Sequence, residues 1–585
     1  MKRIFSLFFM AGVFLSLQAQ VQLRYEQNRT LTYEEIIQAY HELDSIWPSA
    51  RLIRTGITDI GKPLHLFLIS RQQVFDPEAI GKSGIPVILI NNGIHPGEPP
   101  GIDASIQLAR DIFAGRNGMG NFPDHVIIAI IPVYNVGGCL DRSPYHRANQ
   151  DTPPESGFRG NGRNLDLNRD FIKADSRNAH SLEHIFQQLH PLVFLDTHVT
   201  NGSDHQYTIT LIPTVYQKMV PGMGTYFHEK MIPALFDYMK NSPYEMIPYV
   251  RSVHVTPDGG ISAYNDLPRI STGYASLFNT FAFMTENHVY KPFRDQVKSV
   301  YTFMHGMIAF TVDHAAEMMK IRNEADRYRE TQEKFVLNWK LDTTDYSLIT
   351  FKGYEVSNVK GVATGMEYRW YDVSRPYTRK IRFYETFDPV TTVKKPEGYL
   401  IPQAWHEALD RLKLNNVKMY RLSRDTTLTV SAKIIMALDY SRKPYNGHFQ
   451  YRNIRYRTEK EKIRFYKGDY FIPLNQPVNK YIVETLEPDA PDSYFSWNFF
   501  DEILDQREYF SPSTFEKKAA EVLAEDSALK SQFEQRRKTD TVFAANRYAQ
   551  LRFIYENSHY MEKSYRRYPV YSLYMAVPLP VEQDH

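Results

Sequence analysis

The hydrophobic pattern of the chain is clearest in its first half. Between Thr30 and about Asp326, short apolar runs alternate with longer amphipathic stretches. The runs predict strands at residues 64–70, 87–90, 126–132, 192–198 and 281–286, and the stretches predict helices at 102–113, 176–189 and 293–329. Alternation of this kind predicts an α/β fold in which a mixed, mostly buried sheet is flanked by helices.

The second half has a different, β-rich character. From Tyr346 to about Glu487 the chain is rich in Tyr, Thr, Val and Arg, with period-two stretches such as Lys380–Tyr384, and this pattern predicts an antiparallel β module. A small α/β insert is expected at 400–422, and one charged helix at 515–537. We therefore predict an α/β domain at 20–330, a β-rich accessory domain at 331–510 and a helical or irregular segment at 511–585.

The start of the chain predicts export. Met1-Lys-Arg precedes an apolar stretch from Ile4 to Leu17, and Ala19 is a suitable cleavage residue, so residues 1–19 are expected to be a signal peptide. No later run has the roughly 18 consecutive apolar residues of a membrane span, so the mature chain is expected to carry no integral membrane segment. The single Cys139 cannot form an intramolecular disulfide, which favours the periplasm or exterior of a bacterium.

Ionisable residues end several of the predicted strands. His95-Pro-Gly-Glu98 follows the strand at 87–90, His198 ends the strand at 192–198, and Glu286 ends the strand at 281–286. Open α/β sheets bind ligands at the carboxyl ends of their strands. A His and a Glu three residues apart can hold one small cation, and zinc accepts both ligand types. Each residue alone also has a structural interpretation, as part of a polar turn, as a core histidine or as a strand cap.

With the segment Asn164-Leu-Asp-Leu-Asn-Arg-Asp170, these motifs resemble those of zinc carboxypeptidases of the carboxypeptidase A-like family, in a larger, secreted bacterial form. The resemblance covers residues 30 to 315 and implies that 20–330 is the catalytic domain. It implies one Zn²⁺ per chain, held by His95, Glu98 and His198. It further implies roles for the following residues: Asp166 orients His95, Glu286 is the general base, Arg147 polarises the scissile carbonyl, Asn168 and Arg169 bind the terminal carboxylate of the substrate, and Tyr264, or alternatively Tyr274, caps the substrate.

The chain also departs from the family pattern. It has Asn135-Val-Gly-Gly138 where the family often has Asn-Pro-Asp-Gly, and Asp170 where the family often has Asn. Asp170 adds a carboxylate next to Asn168 and Arg169, so the identity of the preferred terminal residue of the substrate stays open. A terminal residue with a basic or amine-bearing side chain is one alternative.

Three functions remain in competition at this point. The first is a secreted zinc carboxypeptidase, which Asn168 and Arg169 favour because they suit a free terminal carboxylate. The second is a zinc amidohydrolase of the same fold that acts on cell-wall peptides or acyl-amides. The third is a catalytically silent surface protein that binds peptides or glycans through its Tyr-rich half. Peptides or cell-wall peptides are the expected partners. Because 69 basic residues nearly balance 67 acidic ones, no nucleic-acid footprint is present.

Overall fold

The computed structural model describes residues 20–119 and 125–583 of the chain. The predicted signal peptide, residues 1–19, lies outside the described residues. The chain forms two compact units. The first comprises the residues up to Ala325 together with Leu341–Phe387, and the second comprises Asp326–Lys340 together with the residues from Asp388 onward. None of the described helices is both long enough and apolar enough to cross a membrane.

The elements are numbered in chain order. The strands are β1 (Ala50–Ile57), β2 (Pro63–Ile69), β3 (Val87–Asn91), β4 (Ile127–Ile131), β5 (Arg142–Ser143), β6 (Ser156–Gly157), β7 (Val193–Thr200), β8 (Ile209–Pro213), β9 (Met246–Pro248), β10 (Arg251–Ser252), β11 (Ile261–Ser262), β12 (Phe281–His288), β13 (Lys334–Leu341), β14 (Ser347–Lys360), β15 (Glu367–Tyr384), β16 (Phe387–Lys394), β17 (Gly398–Ile401), β18 (Tyr420–Leu422), β19 (Thr426–Tyr440), β20 (Tyr451–Phe465), β21 (Tyr470–Pro473), β22 (Tyr571–Leu573) and β23 (Val581–Gln583). The helices are α1 (Tyr33–Ile46), α2 (Pro77–Lys82), α3 (Pro100–Ala114), α4 (Val136–Leu140), α5 (Arg177–Leu189), α6 (Pro221–Tyr226), α7 (Ile232–Lys240), α8 (Ser271–Ser276), α9 (Phe293–Thr331), α10 (His406–Leu414), α11 (Asn479–Leu486), α12 (Pro512–Glu525), α13 (Ser527–Thr539), α14 (Thr541–Ala544) and α15 (Arg547–Glu556).

A mixed eight-stranded sheet forms the centre of the first unit, as the alternating pattern predicts. Its strand order is β1-β2-β4-β3-β7-β12-β8-β9. The inner strands β4, β3, β7 and β12 run parallel, whereas β2 is antiparallel to β1 and β4, and β8 is antiparallel to β12 but parallel to β9. Every residue of β3 and β4 is buried, which explains why both sequences are apolar except for Asn91 at the end of β3. The strands and helices predicted for this half are all present, with ends within two residues of the expected ones.

The parallel core of this sheet determines where the strand ends meet. Strand β3 leads directly into the loop that carries His95 and Glu98. Strands β7 and β12 are direct neighbours, and His198 lies opposite Glu286 in their register. Because parallel strands share one carboxyl edge, three chemically active segments that are distant in sequence lie side by side.

The β-rich part of the chain is divided between the two units. A four-stranded sheet, β10-β11-β15-β14, belongs to the first unit, and a seven-stranded sheet, β20-β19-β22-β17-β21-β18-β23, belongs to the second. The predicted single helix at 515–537 is wrong: two helices, α12 and α13, meet at Asp526, whose side chain accepts from the backbone N–H of Leu529 and so caps α13. The domain boundaries near residues 330 and 510 stay a prediction. The hairpin β14–β15 nevertheless lies within the first compact unit.

Candidate metal centre and active-site cleft

Three of the predicted site residues form one buried group. The Nδ1 atom of His95 lies 3.3 Å from Oε1 of Glu98, and the Nδ1 atom of His198 lies 3.1 Å from Oε2 of the same carboxylate. One ligand atom from each side chain lies within 4.8 Å of the others, a spacing that could hold one metal ion. All three side chains are at least 97% buried, so a cation bound here would be shielded from bulk water.

The loop at the end of β3 is shaped by glycine. The backbone N–H of Glu98 donates to the carbonyl of His95 and closes a tight turn. A Cβ atom on Gly97 would lie 2.4 Å from Cδ of Arg147 and 2.9 Å from the carbonyl oxygen of Gly157. Only glycine therefore allows Arg147 to approach the loop between the two ligands.

The outer nitrogen of each histidine is held by a carboxylate. His95 Nε2 lies 2.8 Å from Asp166 Oδ1, and His198 Nε2 lies 2.9 Å from Asp196 Oδ2. These contacts leave both Nδ1 atoms facing Glu98, and the buried Nδ1 of His95 has no hydrogen-bond partner among the described residues. Two imidazole nitrogens and one carboxylate that converge in this way suit zinc in both ligand type and number. The donor set therefore fits the ion that the sequence predicts.

The surrounding charges set the protonation of this group. Desolvation opposes ionisation of Glu98, but the charges of His95 and Arg147 outweigh it and lower the pKa of that carboxyl well below its usual range. Asp166 is also desolvated, and contact with His95 lowers its pKa. Both carboxylates are therefore charged, the form needed to bind a cation and to orient a ligand.

Glu286 differs from these carboxylates. It projects from β12 next to His198 and lines the same cleft. Desolvation raises the pKa of its carboxyl above the usual range, although the charge of His198 opposes this effect. A carboxyl whose pKa is shifted toward neutrality can both accept and return a proton near pH 7.

Two arginines converge on the metal group. Arg147 Nη1 donates to Glu98 Oε1 at 2.9 Å, and Arg159 Nη1 donates to the same oxygen at 3.4 Å. Arg159 also donates from Nε and Nη2 to Asp166 Oδ2. Arg147 is predicted from the sequence, whereas Arg159 is not. Its position in the Gly/Asn/Arg-rich loop before Asp166 was the available signal.

The predicted substrate-binding residues line the same cleft of about 200 Å³. Asn168 and Arg169 lie on a short 3₁₀ turn, where Asn168 Oδ1 accepts from the backbone N–H of Ser271 and Arg169 Nη1 donates to the carbonyl of Asn168. Tyr264 lines the cleft, whereas Tyr274 is fully buried among aromatic rings of the core. The alternative of Tyr274 as the substrate cap is therefore wrong.

Asp170 does not face the substrate. Its carboxylate is fully buried and accepts from Lys173 Nζ, from Ser176 Oγ and from the backbone N–H groups of Asp175 and Ser176. It therefore braces the turn before α5. The idea that this carboxylate selects a basic terminal group is wrong, because its oxygens are occupied inside the fold.

The wall of the cleft beyond the 3₁₀ turn is apolar. Ile212, Ile270 and Met284 pack into one buried cluster, with Tyr249 and Tyr264 against it, and all five line the cleft. The hydroxyl groups of Tyr249 and Thr200 are 3.1 Å apart. No motif in the sequence indicates Tyr249 or this cluster.

The chain has detectable similarity to known carboxypeptidases. The sequence profile of a family described as zinc carboxypeptidase matches residues 36–329. A protein named Carboxypeptidase 2 from Trichophyton rubrum is 20% identical over 435 residues, which cover 70% of this chain and 73% of that protein. Among solved structures, a metallo-carboxypeptidase from Burkholderia cenocepacia has 14% identity and a TM-score of 0.37, and it covers 49% of this chain and 70% of its own. Carboxypeptidase A from Helicoverpa armigera has 15% identity and a TM-score of 0.36, and covers 50% and 74%.

A buried His–Glu–His group at the carboxyl edge of a mixed sheet is a feature of metal-dependent hydrolases. With the profile matching half of its length, the chain belongs to the zinc carboxypeptidase family. It is therefore a peptide hydrolase of a family that uses zinc.

Proposed function

We propose that the protein is an exported metallocarboxypeptidase that removes a C-terminal residue with an apolar side chain. The observation that carries this proposal is that one cleft is lined by His95, Glu98 and His198, by the potential base Glu286, and by the potential carboxylate-binding residue Arg169. An exopeptidase needs a metal site, a general base and a carboxylate-binding residue within the length of one substrate residue.

The catalytic step assigns separate tasks to the residues of the cleft. His95, Glu98 and His198 would hold a zinc ion, which when bound would supply a Lewis acid that polarises a carbonyl and makes a water molecule more acidic. Glu286 takes the proton of the attacking water on its carboxylate and later gives it to the leaving amine. Arg147 and Arg159 stabilise the negative charge that develops on the carbonyl oxygen.

The substrate is held by its free end. The planar guanidinium of Arg169 matches a carboxylate in a bidentate geometry that a lysine cannot reproduce, and the amide of Asn168 adds a further donor. Tyr264 covers the terminal residue from the side of the apolar wall. These contacts depend on a free carboxylate and thus favour an exopeptidase over an amidohydrolase.

The apolar wall supports a preference for the terminal side chain. Ile212, Ile270 and Met284 offer dispersion contacts and no hydrogen-bond partner to a charged group, so a basic or acidic terminal side chain would lose its hydration without compensation. An apolar side chain buried there gains about 25 cal/mol per Å² of surface removed from water. Leucine-like or aromatic terminal residues are therefore the proposed substrates.

Export and the substrate pool belong to the same proposal. Residues 1–19 have the basic, apolar and small-residue order of a signal peptide, which supports a periplasmic or extracellular enzyme. Peptides from proteins and cell-wall peptides both end in free carboxylates. The zinc amidohydrolase therefore remains the second candidate, whereas membership of the zinc carboxypeptidase family argues against a catalytically silent binding protein.

A peptide panel tests the proposed function. Peptides that differ only in the last residue, ending in Phe, Leu, Lys or Glu, are offered as free acids and as C-terminal amides. We expect release of the last residue from the Phe and Leu acids and little turnover of any amide. Cleavage of the Lys-ending acid faster than the Phe- and Leu-ending acids would refute the apolar preference but not the carboxypeptidase assignment. Equal cleavage of acids and amides would refute the carboxypeptidase assignment and favour an amidase.

A further inference from the structure

The hairpin β14–β15 lies outside the region that the family profile matches, yet it belongs to the same compact unit as the cleft. Residues 346–384 carry seven basic and only three acidic side chains, whereas the whole chain has a net charge of +2. The hairpin is therefore a local concentration of positive charge.

The end of this hairpin exposes large apolar side chains. All residues from Val362 to Trp370 are exposed; Val362 is fully exposed and Met366 is 71% exposed. Tyr368 and Trp370 are half-exposed and, being two residues apart on one strand, lie on the same face of β15. Soluble proteins rarely display a contiguous patch of this kind unless it binds something.

The opposite face of the hairpin is hydrogen-bonded to other segments of the first unit. Arg369 Nη1 donates to the backbone carbonyl of Val255, and the hydroxyl of Tyr371 donates to Ser203 Oγ. Because side chains alternate along a strand, Tyr368 and Trp370 point away from these contacts. The aromatic face is thus directed outward, on a strand whose opposite face is held by contacts at Arg369 and Tyr371.

We propose that this hairpin docks the enzyme on an anionic lipid bilayer. From its end toward its base it presents apolar side chains (Val362 and Met366), then aromatic ones (Tyr368 and Trp370), then basic ones such as Arg375. Aromatic rings concentrate at the level of lipid headgroups, with apolar groups below them. Basic side chains near the surface are attracted by anionic lipids. Apart from Lys360 and Glu367, which lie opposite each other beside the apolar end, the order of side chains along the hairpin matches the order of layers at a bilayer surface.

Docking would also position the cleft. Ser203, which accepts from Tyr371, lies two residues beyond Asn201, which lines the cleft. Five residues separate Tyr371 from Met366, a distance of roughly 17 Å at about 3.3 Å per strand residue. A docked hairpin would therefore hold the cleft close to the lipid surface and to peptides attached there.

Vesicle sedimentation tests this proposal. The chain from Gln20 onward is used, so that the apolar stretch Ile4–Leu17 does not contribute. It is mixed with vesicles of phosphatidylcholine alone or of about equal parts phosphatidylglycerol and phosphatidylcholine. The double variant Val362→Ser, Met366→Ser removes the apolar end. Leu348→Ser is the matched control, because Leu348 is 61% exposed on the same hairpin but lies at its base.

We expect wild type and the control to bind the anionic vesicles, and high salt to weaken this binding. The double variant should bind the same vesicles at least roughly tenfold more weakly than wild type. All three should cleave a short soluble peptide at equal rates, which shows that they are folded. Equal binding by the double variant, absence of wild-type binding, or equal binding to neutral vesicles would each overturn the proposal. Binding to an anionic polysaccharide but not to vesicles would assign the hairpin to a different partner.

Discussion

Arg169→Ala tests whether the cleft recognises a free carboxylate. The guanidinium lines the cleft and is oriented by its own hydrogen bond to the carbonyl of Asn168, at 2.6 Å. Removing one partner of a hydrogen-bonded charge pair costs roughly 2–5 kcal/mol. At about 1.36 kcal/mol per tenfold change, the expected loss in kcat/KM on free-acid peptides is about 30- to 5000-fold.

The assay compares a free-acid peptide with its C-terminal amide on each enzyme. Wild type should cleave the amide poorly, and the substitution should change that rate little, because the amide lacks the charge that Arg169 binds. Arg163→Ala is the matched control, since Arg163 is in the same Arg-rich segment but donates to the carbonyl of Asp175. Arg169→Lys should restore only part of the activity, because an ammonium is a point charge and not a planar fork.

Two results would refute this reasoning. If Arg169→Ala lowers kcat/KM on the acid and the amide by the same factor, the residue supports the fold or the chemistry and not carboxylate recognition. If the loss on the acid is only about as large as for Arg163→Ala, the terminal carboxylate is bound elsewhere in the cleft.

Three further predictions address the remaining parts of the site. Glu286→Gln should lower kcat by about 10²- to 10⁴-fold with zinc retained, measured by steady-state kinetics and metal analysis; an active variant would place the base elsewhere. His198→Ala should lose the zinc that wild type binds at about one ion per chain, and full retention would remove His198 from the ligand set. Ile270→Lys should lower kcat/KM for a Phe-ending peptide and raise it for a Glu-ending one; an unchanged profile would exclude the apolar wall as the selecting surface.

The sequence predicts the metal group better than the rest of the cleft, and the reason is topological. His95 and Glu98 follow a buried strand, and His198 and Glu286 lie near the carboxyl ends of two others. Parallel strands place these ends at one edge of the sheet. The local hydrophobic pattern is therefore enough to predict that these residues lie close together. It also predicts the bounds of β3 and β4, because strands that are buried over their whole length are mostly apolar.

Arg159 and Tyr249 escaped prediction because no local pattern marks them. Arg159 acts through contacts with Glu98 and Asp166, which are fixed only once two loops have folded against each other. Tyr249 enters the cleft from the end of a short strand at the edge of the sheet. The structural role of Asp170 could not be predicted either, because its hydrogen-bond partners are in place only when the turn before α5 has folded.

Two buried histidines next to the cleft should make the first unit sensitive to acid. The rings of His205 and His288 are 4.7 Å apart, and both side chains are almost completely buried. Desolvation lowers the pKa of His288 to about 4 and lowers that of His205 as well, with Lys291 adding to both effects. Asp204 opposes the shift at His288 but does not cancel it.

The sign of the effect follows from proton uptake. An unfolded histidine binds a proton near pH 6.5, whereas His288 in the folded state does so only near pH 4, so the free energy of unfolding falls as the pH drops between these values. For His288 alone the loss at pH 5 is about 2 kcal/mol, which corresponds to a few degrees in Tm. We expect His288→Asn to show a smaller drop in Tm between about pH 7.5 and about pH 5 than wild type, whatever its Tm at the higher pH. His184→Asn, which changes an exposed histidine on α5, is the control and should retain the wild-type drop. If His288→Asn retains it too, the acid sensitivity arises elsewhere, since His288 would then contribute nothing to proton uptake on unfolding.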